Sequence, residues 1–534
     1  MKTFYSFFIF IVLTVSSFGQ DSFNYSVELE PLIILDLPGL HSYAVAQHDG
    51  KWLVIGGRKD GLHARQPFSS FPSSQNNTEI YVIDVDSQKF WSASLNTLPP
   101  GIYEQLQSTN MNFYQDKDTL YIIGGYGFSA SAEDHITYPN LTTVLVSDVI
   151  DAVTSETSIV PYFKQISDTV FAVSGGQLGK INDTFYLVGG HRFDGLYNPM
   201  NNPTFTQSYT NQIRKFTIQN KGSGLSFSNL TSITDPIHLR RRDYNLLPQI
   251  FPDGEEGYTI SSGVFQENTD LPFLYPVDIK ESGYQPVTEF NQYLSNYHSA
   301  KTCLFDSLEN HMHMLFFGGM SHYYYEDGIK IQDDLVPFVS TISRLTRLSD
   351  GTLQEYKLSV EMPGLIGASA EFIPNLLQPH YNSEIFKLNQ INQDTSLIGY
   401  IYGGIVSSTL NPFTNNLTST TYADPQIYRV KLIKAKTDDV ELINGVNPYD
   451  VYVYPNPAST EVFLQFNMDL TSDSYYFISG INGQIYQKGR LDLMQQKMNH
   501  AHKIELSEAI KPQVLILTVV VDNRYFLMRK IIKN

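Results

Sequence analysis

The sequence WLVIGG at residues 52–57 decides the fold, because an apolar run that ends in a glycine pair recurs through most of the chain. Further copies are LYIIGG at 120–125, FYLVGG at 185–190, MLFFGG at 314–319 and YIYGG at 400–404. A degenerate copy, YTISSG at 258–263, fills the gap that the spacing leaves. From Gly57 to Gly404 the copies recur about every 69 residues, which indicates six similar structural units in a row.

Each copy predicts one strand of a small antiparallel unit. A shorter strand and a polar turn precede it, and another apolar strand, such as EIYVID at 79–84, follows it. Glycine reaches positive φ and lets backbones approach closely, so we interpret the pairs as structural rather than phosphate-binding. Neither GxGxxG nor a P-loop pattern accompanies them. The structural glycines of this interpretation are Gly56, Gly57, Gly124, Gly125, Gly189, Gly190, Gly263, Gly318, Gly319, Gly403 and Gly404.

Composition favours a β-rich globular chain and argues against nucleic acid as a partner. Charged residues are only 17%, while Tyr, Phe, Gly and Pro are plentiful. The 36 basic residues face 54 acidic ones, a formal net charge of -18, which repels phosphate backbones and anionic lipid surfaces. With 534 residues, the chain is long enough to bury a large core without disulfide bonds.

The first copy resembles the kelch repeat: its glycine pair is followed by Tyr81 and then, after an Asp-x-Asp turn, by Trp91. That resemblance implies an all-β fold, a six-bladed kelch-type β-propeller over residues 20–440 with one four-stranded blade per repeat. A ring of blades closes when the chain's two ends pair within one blade. We expect the strand at residues 26–34 to supply the outer strand of the last blade, with residues 440–443 as its rival.

The end of the chain, residues 451–534, resembles the C-terminal sorting domain of type IX secretion substrates, a small β-sandwich. The matching opening motif is Tyr454-Pro455-Asn456-Pro457, followed by alternating apolar residues up to Phe466. Asn482-Gly483 falls at the central turn, where we expect a hairpin with positive φ at both residues. The resemblance implies export by the type IX secretion machinery, with residues 441–450 as a linker.

The start of the chain predicts export as well. Lys2 precedes an apolar run, and small residues follow up to Gly19, so residues 1–19 have the pattern of a signal peptide. The only cysteine is Cys303, which leaves no lipid-anchor site at the cleavage point and no disulfide. We therefore expect a secreted or cell-surface protein of a Gram-negative bacterium, without a transmembrane anchor.

Topology indicates where a ligand site would lie. In a four-stranded antiparallel blade, the residues after each glycine pair and those before each first strand share one rim. This rim is rich in Arg and His, and guanidinium groups suit carboxylate or sulfate groups of an anionic glycan or acidic peptide. The alternative is that the arginines pair with Asp60, Asp194 and Asp243. The candidate ligand-binding residues are Arg58, His63, His191, Arg192, Arg241, Arg242 and His298.

Other motifs are less specific. His311 and His313 share one strand face without a third metal ligand, and Asp84-x-Asp86 lacks the rest of a calcium loop, so no metal or other cofactor is predicted. Residues 323–325, Tyr-Tyr-Tyr, are either a sugar-stacking platform or β-prone residues packed on a neighbouring loop.

Two functions from different classes follow. The first is a binding protein whose rigid propeller presents long loops to a glycan or protein. The second is an enzyme resembling the sialic acid mutarotases, which need an acid/base pair and an anchor for the substrate carboxylate. Catalytic residues are not identified by the sequence. A copper radical oxidase of the galactose oxidase type is disfavoured, because nothing links Cys303 to a His/Tyr metal set.

Overall fold

The computed structural model describes residues 23–199, 204–222, 224–434, 440–470, 474–491, 493 and 501–534, so the predicted signal peptide lies outside the described residues. The protein is all-β, as predicted: strands form the sheets, and the described part contains two α-helices, Pro100–Leu106 and Val146–Thr154. Its short 3-10 helices are Pro67–Ser69, Ser73–Gln75, Leu95–Thr97, Val160–Tyr162, Thr169–Phe171, Leu388–Gln390 and Thr418–Thr420.

Six four-stranded antiparallel arrangements follow one another along the chain, and we number them sheets 1 to 6. Sheets 1 to 3 are Ala44–His48, Lys51–Ile55, Glu79–Asp84, Lys89–Ser94; Asn112–Asp116, Thr119–Ile123, Asn140–Leu145, Phe163–Ser167; and Gln177–Ile181, Thr184–Val188, Gln212–Lys221, Gly224–Asn229 with Ile233–Thr234. Sheets 4 to 6 are Asn245–Ile250, Glu256–Ser261, Val277–Lys280, Gly283–Pro286; Ala300–Asp306, His311–Met320, Phe338–Arg347, Leu353–Glu361 with Phe386–Lys387; and Glu371–Pro374, Thr395–Tyr402, Ile427–Lys434, Tyr25–Leu32.

Smaller sheets lie in the loops that leave sheets 2, 3, 5 and 6. Their strands are Tyr126–Ser129 with Asp134–Thr137, His191–Gly195 with Phe205–Tyr209, Tyr323–Glu326 with Ile329–Gln332, and Leu365–Ala368 with Ile405–Ser407 and Tyr422–Ala423.

The N-terminal strand completes the last sheet. Tyr25–Leu32 pairs antiparallel with Ile427–Lys434 along its whole length, as its outer neighbour. The predicted rival does not take this place, because Glu441–Ile443 pairs with Leu353–Glu361 at the edge of sheet 5. The region predicted as a linker, residues 441–450, therefore begins with a strand.

A closed ring of backbone hydrogen bonds joins the six sheets. One residue just before each first strand donates its N–H to the corresponding residue of another sheet, and the sixth bond returns to the start. The bonds are Ser42 N to Ser369 O (3.1 Å), Ser369 N to His298 O (2.9 Å), His298 N to Asp243 O (2.8 Å), Asp243 N to Gly175 O (2.7 Å), Gly175 N to Asn110 O (3.2 Å) and Asn110 N to Ser42 O (3.2 Å). Each sheet is thereby fixed beside its neighbours in chain order.

The glycine pairs make a second set of links between adjacent sheets. The N–H of Gly57 donates to Ser108 O, which precedes sheet 2, and that of Gly404 donates to Leu40 O, which precedes sheet 1. All eleven predicted structural glycines have positive φ, and Ser262 takes φ 55° in the degenerate copy. At Gly124 a Cβ would lie 1.8 Å from Val173 O, so the close approach excludes a side chain.

The C-terminal region is a sandwich of two antiparallel sheets around its own apolar core. One sheet contains Val451–Tyr454, Glu461–Phe466 and His502–Glu505, and the other contains Ile485–Arg490, Tyr475–Gly480, Gln513–Val521 and Tyr525–Lys533. The predicted hairpin is present at residues 475–490, but only Gly483 of the Asn-Gly pair has positive φ. The prediction of two such residues was wrong, because the connection is longer than a two-residue turn.

The sandwich packs against sheet 4 and the segment before it. Phe477, Val520 and Phe526 belong to one buried cluster with Phe273 and Tyr275. The Phe526 ring lies 4.7 Å from the Tyr275 ring and 5.7 Å from the Phe273 ring. The two regions therefore share an apolar core.

Candidate functional site

The predicted rim residues are paired through their backbones. Residues that precede the first strands form antiparallel bridges with residues that follow the glycine pairs, which places both sets on one side, here called the glycine face. The bridges are His41 with Arg58, Thr109 with Tyr126, Ser174 with His191, and Arg242 with Val264.

Arg58 is a buried, fully paired cation rather than an open anion site. Its Nε and Nη2 donate to the two carboxylate oxygens of Asp60 at 2.8 and 2.5 Å, and Nη1 donates to Asn76 Oδ1 at 2.8 Å. The residue is 2% exposed. This bidentate geometry is the strong form of the pair, so a ligand carboxylate would have to displace Asp60.

Arg192 and Arg242 also pair with the acids that the sequence places beside them. Arg192, whose side chain is about half exposed, donates from Nε to Asp194 at 2.6 Å. The Arg242 guanidinium contacts Asp243 and donates from Nε to the Tyr209 hydroxyl at 3.2 Å. Burial disfavours the charged guanidinium, but the Asp243 carboxylate outweighs this and raises the pKa of Arg242.

Arg241, also predicted as a ligand-binding residue, has its side chain in the core. Its guanidinium is 0% exposed and donates to the carbonyls of His238 at 2.9 Å and of Ser262 and Tyr275 at 2.7 Å. It also lies over the Phe273 ring at 4.4 Å. Arg241 therefore satisfies buried backbone acceptors in the core.

Two histidines of the glycine face, His63 and His191, have lowered pKa values, which favour the uncharged imidazole. Burial, with the charges of Arg242 and Arg58, lowers the pKa of His63 to about 4. Burial and the charge of Arg242 lower the pKa of His191 well below its usual range, and Gln207 Nε2 donates to His191 Nδ1 at 2.6 Å. The glycine face is thus much less cationic than its sequence suggests.

An aromatic cluster covers part of the glycine face. His63 stacks on Phe71 at 4.9 Å and meets the edges of Tyr197 at 4.8 Å and Phe413 at 5.3 Å. Tyr197 stacks on Phe205 at 5.9 Å. All five rings are half-buried, so each keeps some surface towards solvent. We call His63, Phe71, Tyr197, Phe205 and Phe413 the aromatic face.

The sequence predicted only His63 among these five. The other four come from the loops after the first, third and last glycine pairs. These loops are far apart in the sequence: Gln66 of the first loop donates to Asn416 of the last, 350 positions away. Arg65, two residues after His63 in the same loop, lies over the Phe413 ring at 5.6 Å and donates to Thr414 O at 3.2 Å. The density of Tyr and Phe in loops was the available signal, but pairing of distant loops is invisible in one sequence.

A second candidate site is a cavity of about 250 Å³ between the first strands of all six sheets, here called the central cavity. His298 lines it, away from the aromatic face, and its Nε2 lies 3.2 Å from Glu371 Oε1. Burial disfavours the Glu371 carboxylate, but His298, by charge and hydrogen bond, and the Lys301 charge lower the pKa of Glu371. His298 and Glu371 form an acid/base pair inside the cavity.

The sequence pointed to His298 but missed Glu371 and Lys301. Neither residue stands in a motif, because they come from adjacent sheets and meet only through the ring of first strands. Cys303 also lines this cavity, and burial raises the pKa of its thiol. A lone thiol with a raised pKa is a weak nucleophile.

The remaining motifs have structural partners. His313 is fully buried beside Thr346 and the Phe23 ring, and the described residues contain no cluster of three or more metal-ligating side chains. Asp84 Oδ1 accepts the N–H groups of Asp86 and Ser87, as in an ordinary turn.

The tyrosine run also packs on neighbouring loops. The Tyr323 ring meets Tyr293 at 4.8 Å, and the Tyr325 hydroxyl donates to Glu441 at 3.1 Å. These contacts favour the packing interpretation over a sugar-stacking platform.

The opening motif of the C-terminal region contacts its last strand. Asn456 Nδ2 donates to Lys530 O at 2.8 Å, and Asn456 Oδ1 accepts the N–H of Ile532 at 2.9 Å. In the three-stranded sheet of the sandwich, the Tyr454 ring stacks on the rings of Tyr452 and Phe463. The first and last segments of the sandwich are thereby joined.

Comparison with protein-family models and with curated proteins finds no match. Within the ranges that the structure describes, neither helix is long and apolar enough to cross a membrane.

Proposed function

We propose that residues 23–434 form a six-bladed kelch-type β-propeller. Three observations support this fold: six four-stranded antiparallel sheets follow in chain order, the ring of six hydrogen bonds returns to its start, and the N-terminal strand completes sheet 6. In propellers, closure of the ring protects sheet edges and leaves a cavity at the centre. The central cavity fits that expectation.

The export route in this proposal is type IX secretion. It rests on the resemblance of residues 451–534 to the sorting domains and on the signal-peptide pattern of residues 1–19. The two-sheet sandwich is compatible with such a domain. In this proposal the propeller performs the function outside the cell, and the sandwich is the sorting signal that the secretion machinery recognises.

The proposed activity is binding of a glycan at the aromatic face, and the observation that carries it is the cluster of five half-buried rings centred on His63. Rings that keep a polar or exposed edge suit the apolar faces of sugar rings. The loops of three sheets hold the cluster, so the surface is positioned by the rigid scaffold.

The ligand should be recognised mainly by stacking rather than by charge. Arg58, Arg192 and Arg242 already pair with carboxylates, and the lowered pKa values of His63 and His191 favour their uncharged forms. Arg65 contributes a cation at the edge of the cluster without an acidic partner among the described residues. A neutral sugar therefore fits better than the polyanionic ligand that the sequence suggested.

The test uses residues 20–534 and thermal shifts against neutral glycans, acidic glycans and glycoproteins. A ligand at about 100 times its dissociation constant stabilises the fold by about 2.7 kcal/mol. We expect Tyr197→Ala to weaken binding of a neutral glycan by about tenfold, corresponding to roughly 1.4 kcal/mol. Tyr452→Ala, at an exposed tyrosine of the sandwich, is the matched control and should bind normally.

Three outcomes would contradict this proposal. They are silence across all glycans, binding that is unaffected by Tyr197→Ala, and binding restricted to acidic sugars and abolished by salt. A response to glycoproteins that survives removal of their glycans would instead identify a protein partner.

A second candidate function is a sugar mutarotase, and the His298–Glu371 pair in the central cavity favours it. Ring opening needs one group to remove a proton and one to donate it, which an imidazole and a carboxylate can do. Polarimetry on every sugar that shifts the melting temperature separates the two functions. An enzyme loses turnover in Glu371→Gln while it keeps binding, whereas a binding protein shows no turnover at all.

A further inference from the structure

One lysine interrupts an apolar layer inside the central cavity. Three positions after the ring residue of each sheet, the first strands place one side chain on the cavity wall. These six residues are Val45, Phe113, Leu178, Leu246, Lys301 and Phe372. Five are apolar, and only Lys301 carries a charge.

Among the described residues, the Lys301 ammonium has no hydrogen-bond or ion-pair partner, in contrast to some other half-buried lysines. Lys180, for example, pairs with Asp116 at 2.5 Å. Leaving an ammonium without a partner among apolar side chains is costly, so a structural role does not explain this lysine.

The ionisable groups that line the cavity with Lys301 are few. Glu371 is bound to His298, and Asp243 is bound to Arg242. The others are Cys303, Glu384 and three tyrosines, Tyr43, Tyr114 and Tyr258, and burial raises the pKa of the Cys303 thiol and of the three phenols. Burial lowers the pKa of Lys301 below its usual range, and Glu371 and Cys303 offset this only in part. Burial in the cavity therefore favours the neutral amine more than it does at an exposed lysine.

We propose that Lys301 is a nucleophilic amine that forms an imine with a small aldehyde or ketone bound in the central cavity. A desolvated lysine in an apolar pocket is one of the recognised ways to activate this side chain. The volume of about 250 Å³ accommodates a small organic molecule rather than an oligosaccharide. The site is separate from the aromatic face and goes beyond the proposed glycan binding.

The reaction balances without an oxidant or reductant. The lone pair of Lys301 Nζ adds to the carbonyl carbon and gives a carbinolamine. The carbonyl oxygen then leaves as water with the two hydrogens that the amine nitrogen loses, and a C=N bond remains. His298, oriented by Glu371 on the same cavity wall, is the group able to relay these protons.

Reductive trapping tests this chemistry directly. Residues 20–534 are incubated at pH 7 with glycolaldehyde or butanal and cyanoborohydride, and labelling of every lysine is followed by peptide mass spectrometry. Burial favours the neutral, nucleophilic amine of Lys301, so we expect Lys301 to be labelled faster than exposed Lys89. Cys303 does not interfere, because cyanoborohydride does not trap thiol adducts.

Variants separate a nucleophile from an accessible side chain. Lys301→Arg should abolish the fast labelling and leave the melting temperature nearly unchanged, whereas Lys180→Arg, at the paired lysine, should leave the labelling intact. Glu371→Gln should slow imine formation at Lys301 without changing labelling of Lys89. Labelling of Lys301 no faster than that of Lys89, with the fold intact by circular dichroism, would overturn the proposal.

Discussion

Arg241 and Arg242 are adjacent in the chain, yet one guanidinium is interior and the other lies beside the glycine face. Sequence reasoning gave them the same role, because spacing places both just before sheet 4. What separates them is their surroundings: Arg241 donates to the carbonyls of nearby His238 and of distant Ser262 and Tyr275, whereas Arg242 is followed by Asp243. The acids could be read from the sequence, whereas the carbonyl acceptors could not.

The contrast predicts different stabilities for two arginine variants. Arg241→Ala leaves three buried carbonyls without a donor and should lower the free energy of unfolding by about 3 kcal/mol or more. Arg192→Ala, which removes an exposed pair with Asp194, should change it by less than about 1 kcal/mol. Urea unfolding measures both. Equal losses for the two variants would show that Arg241 is not a core residue.

At the scale of elements, the glycine pairs predicted where strands leave the sheets. The repeat predicted the number and order of the second strands. It also predicted that the N-terminal strand, which has no glycine pair of its own, completes sheet 6. The loops were less accessible, because strands such as Tyr126–Ser129 and His191–Gly195 are paired within insertions of no fixed length. The aromatic face depends on those insertions and was missed for that reason.

A comparison of two glycines isolates close approach from backbone conformation. Gly124 and Gly50 have similar φ values of 69° and 75°, but a Cβ at Gly50 meets no atom within 4 Å. Gly50→Ala should cost about 1–2 kcal/mol for its left-handed conformation alone. Gly124→Ala should cost a further 1–3 kcal/mol, roughly the penalty of overpacking, because its Cβ would clash with Val173 O. Similar denaturation midpoints for the two variants would contradict this role of the pairs.

At the scale of the whole molecule, contact between the sandwich and sheet 4 was not predicted. The run at residues 514–521 is apolar at nearly every position, which is the pattern of a strand buried on both faces. Val519 and Val521 face the sandwich core, while Val520 faces sheet 4. The signal was present, but the partner surface around Phe273 and Tyr275 has no local signature of an interface.

This shared core changes what a truncation measures. Removing residues 451–534 uncovers Phe273 and Tyr275, which are 1% and 0% exposed in the intact chain. We expect the remaining six sheets to lose stability as well as the proposed sorting signal. Phe526→Ala isolates the first effect: it should lower the free energy of unfolding by about 3–5 kcal/mol, as buried Phe→Ala changes do, and leave the opening motif and last strand in place.

The export of both variants is then compared with that of Leu308→Ala, a control at an exposed turn of sheet 5 that should hardly change stability. This comparison separates the sorting signal from the contact with sheet 4. The truncated chain should stay in the periplasm, whereas Phe526→Ala should still appear outside the cell, because the pairing of Asn456 with the last strand is untouched. Normal appearance of the truncated chain outside the cell would refute the sorting assignment. Retention of Phe526→Ala in a folded form would mean that contact with sheet 4 is itself part of what the export machinery reads.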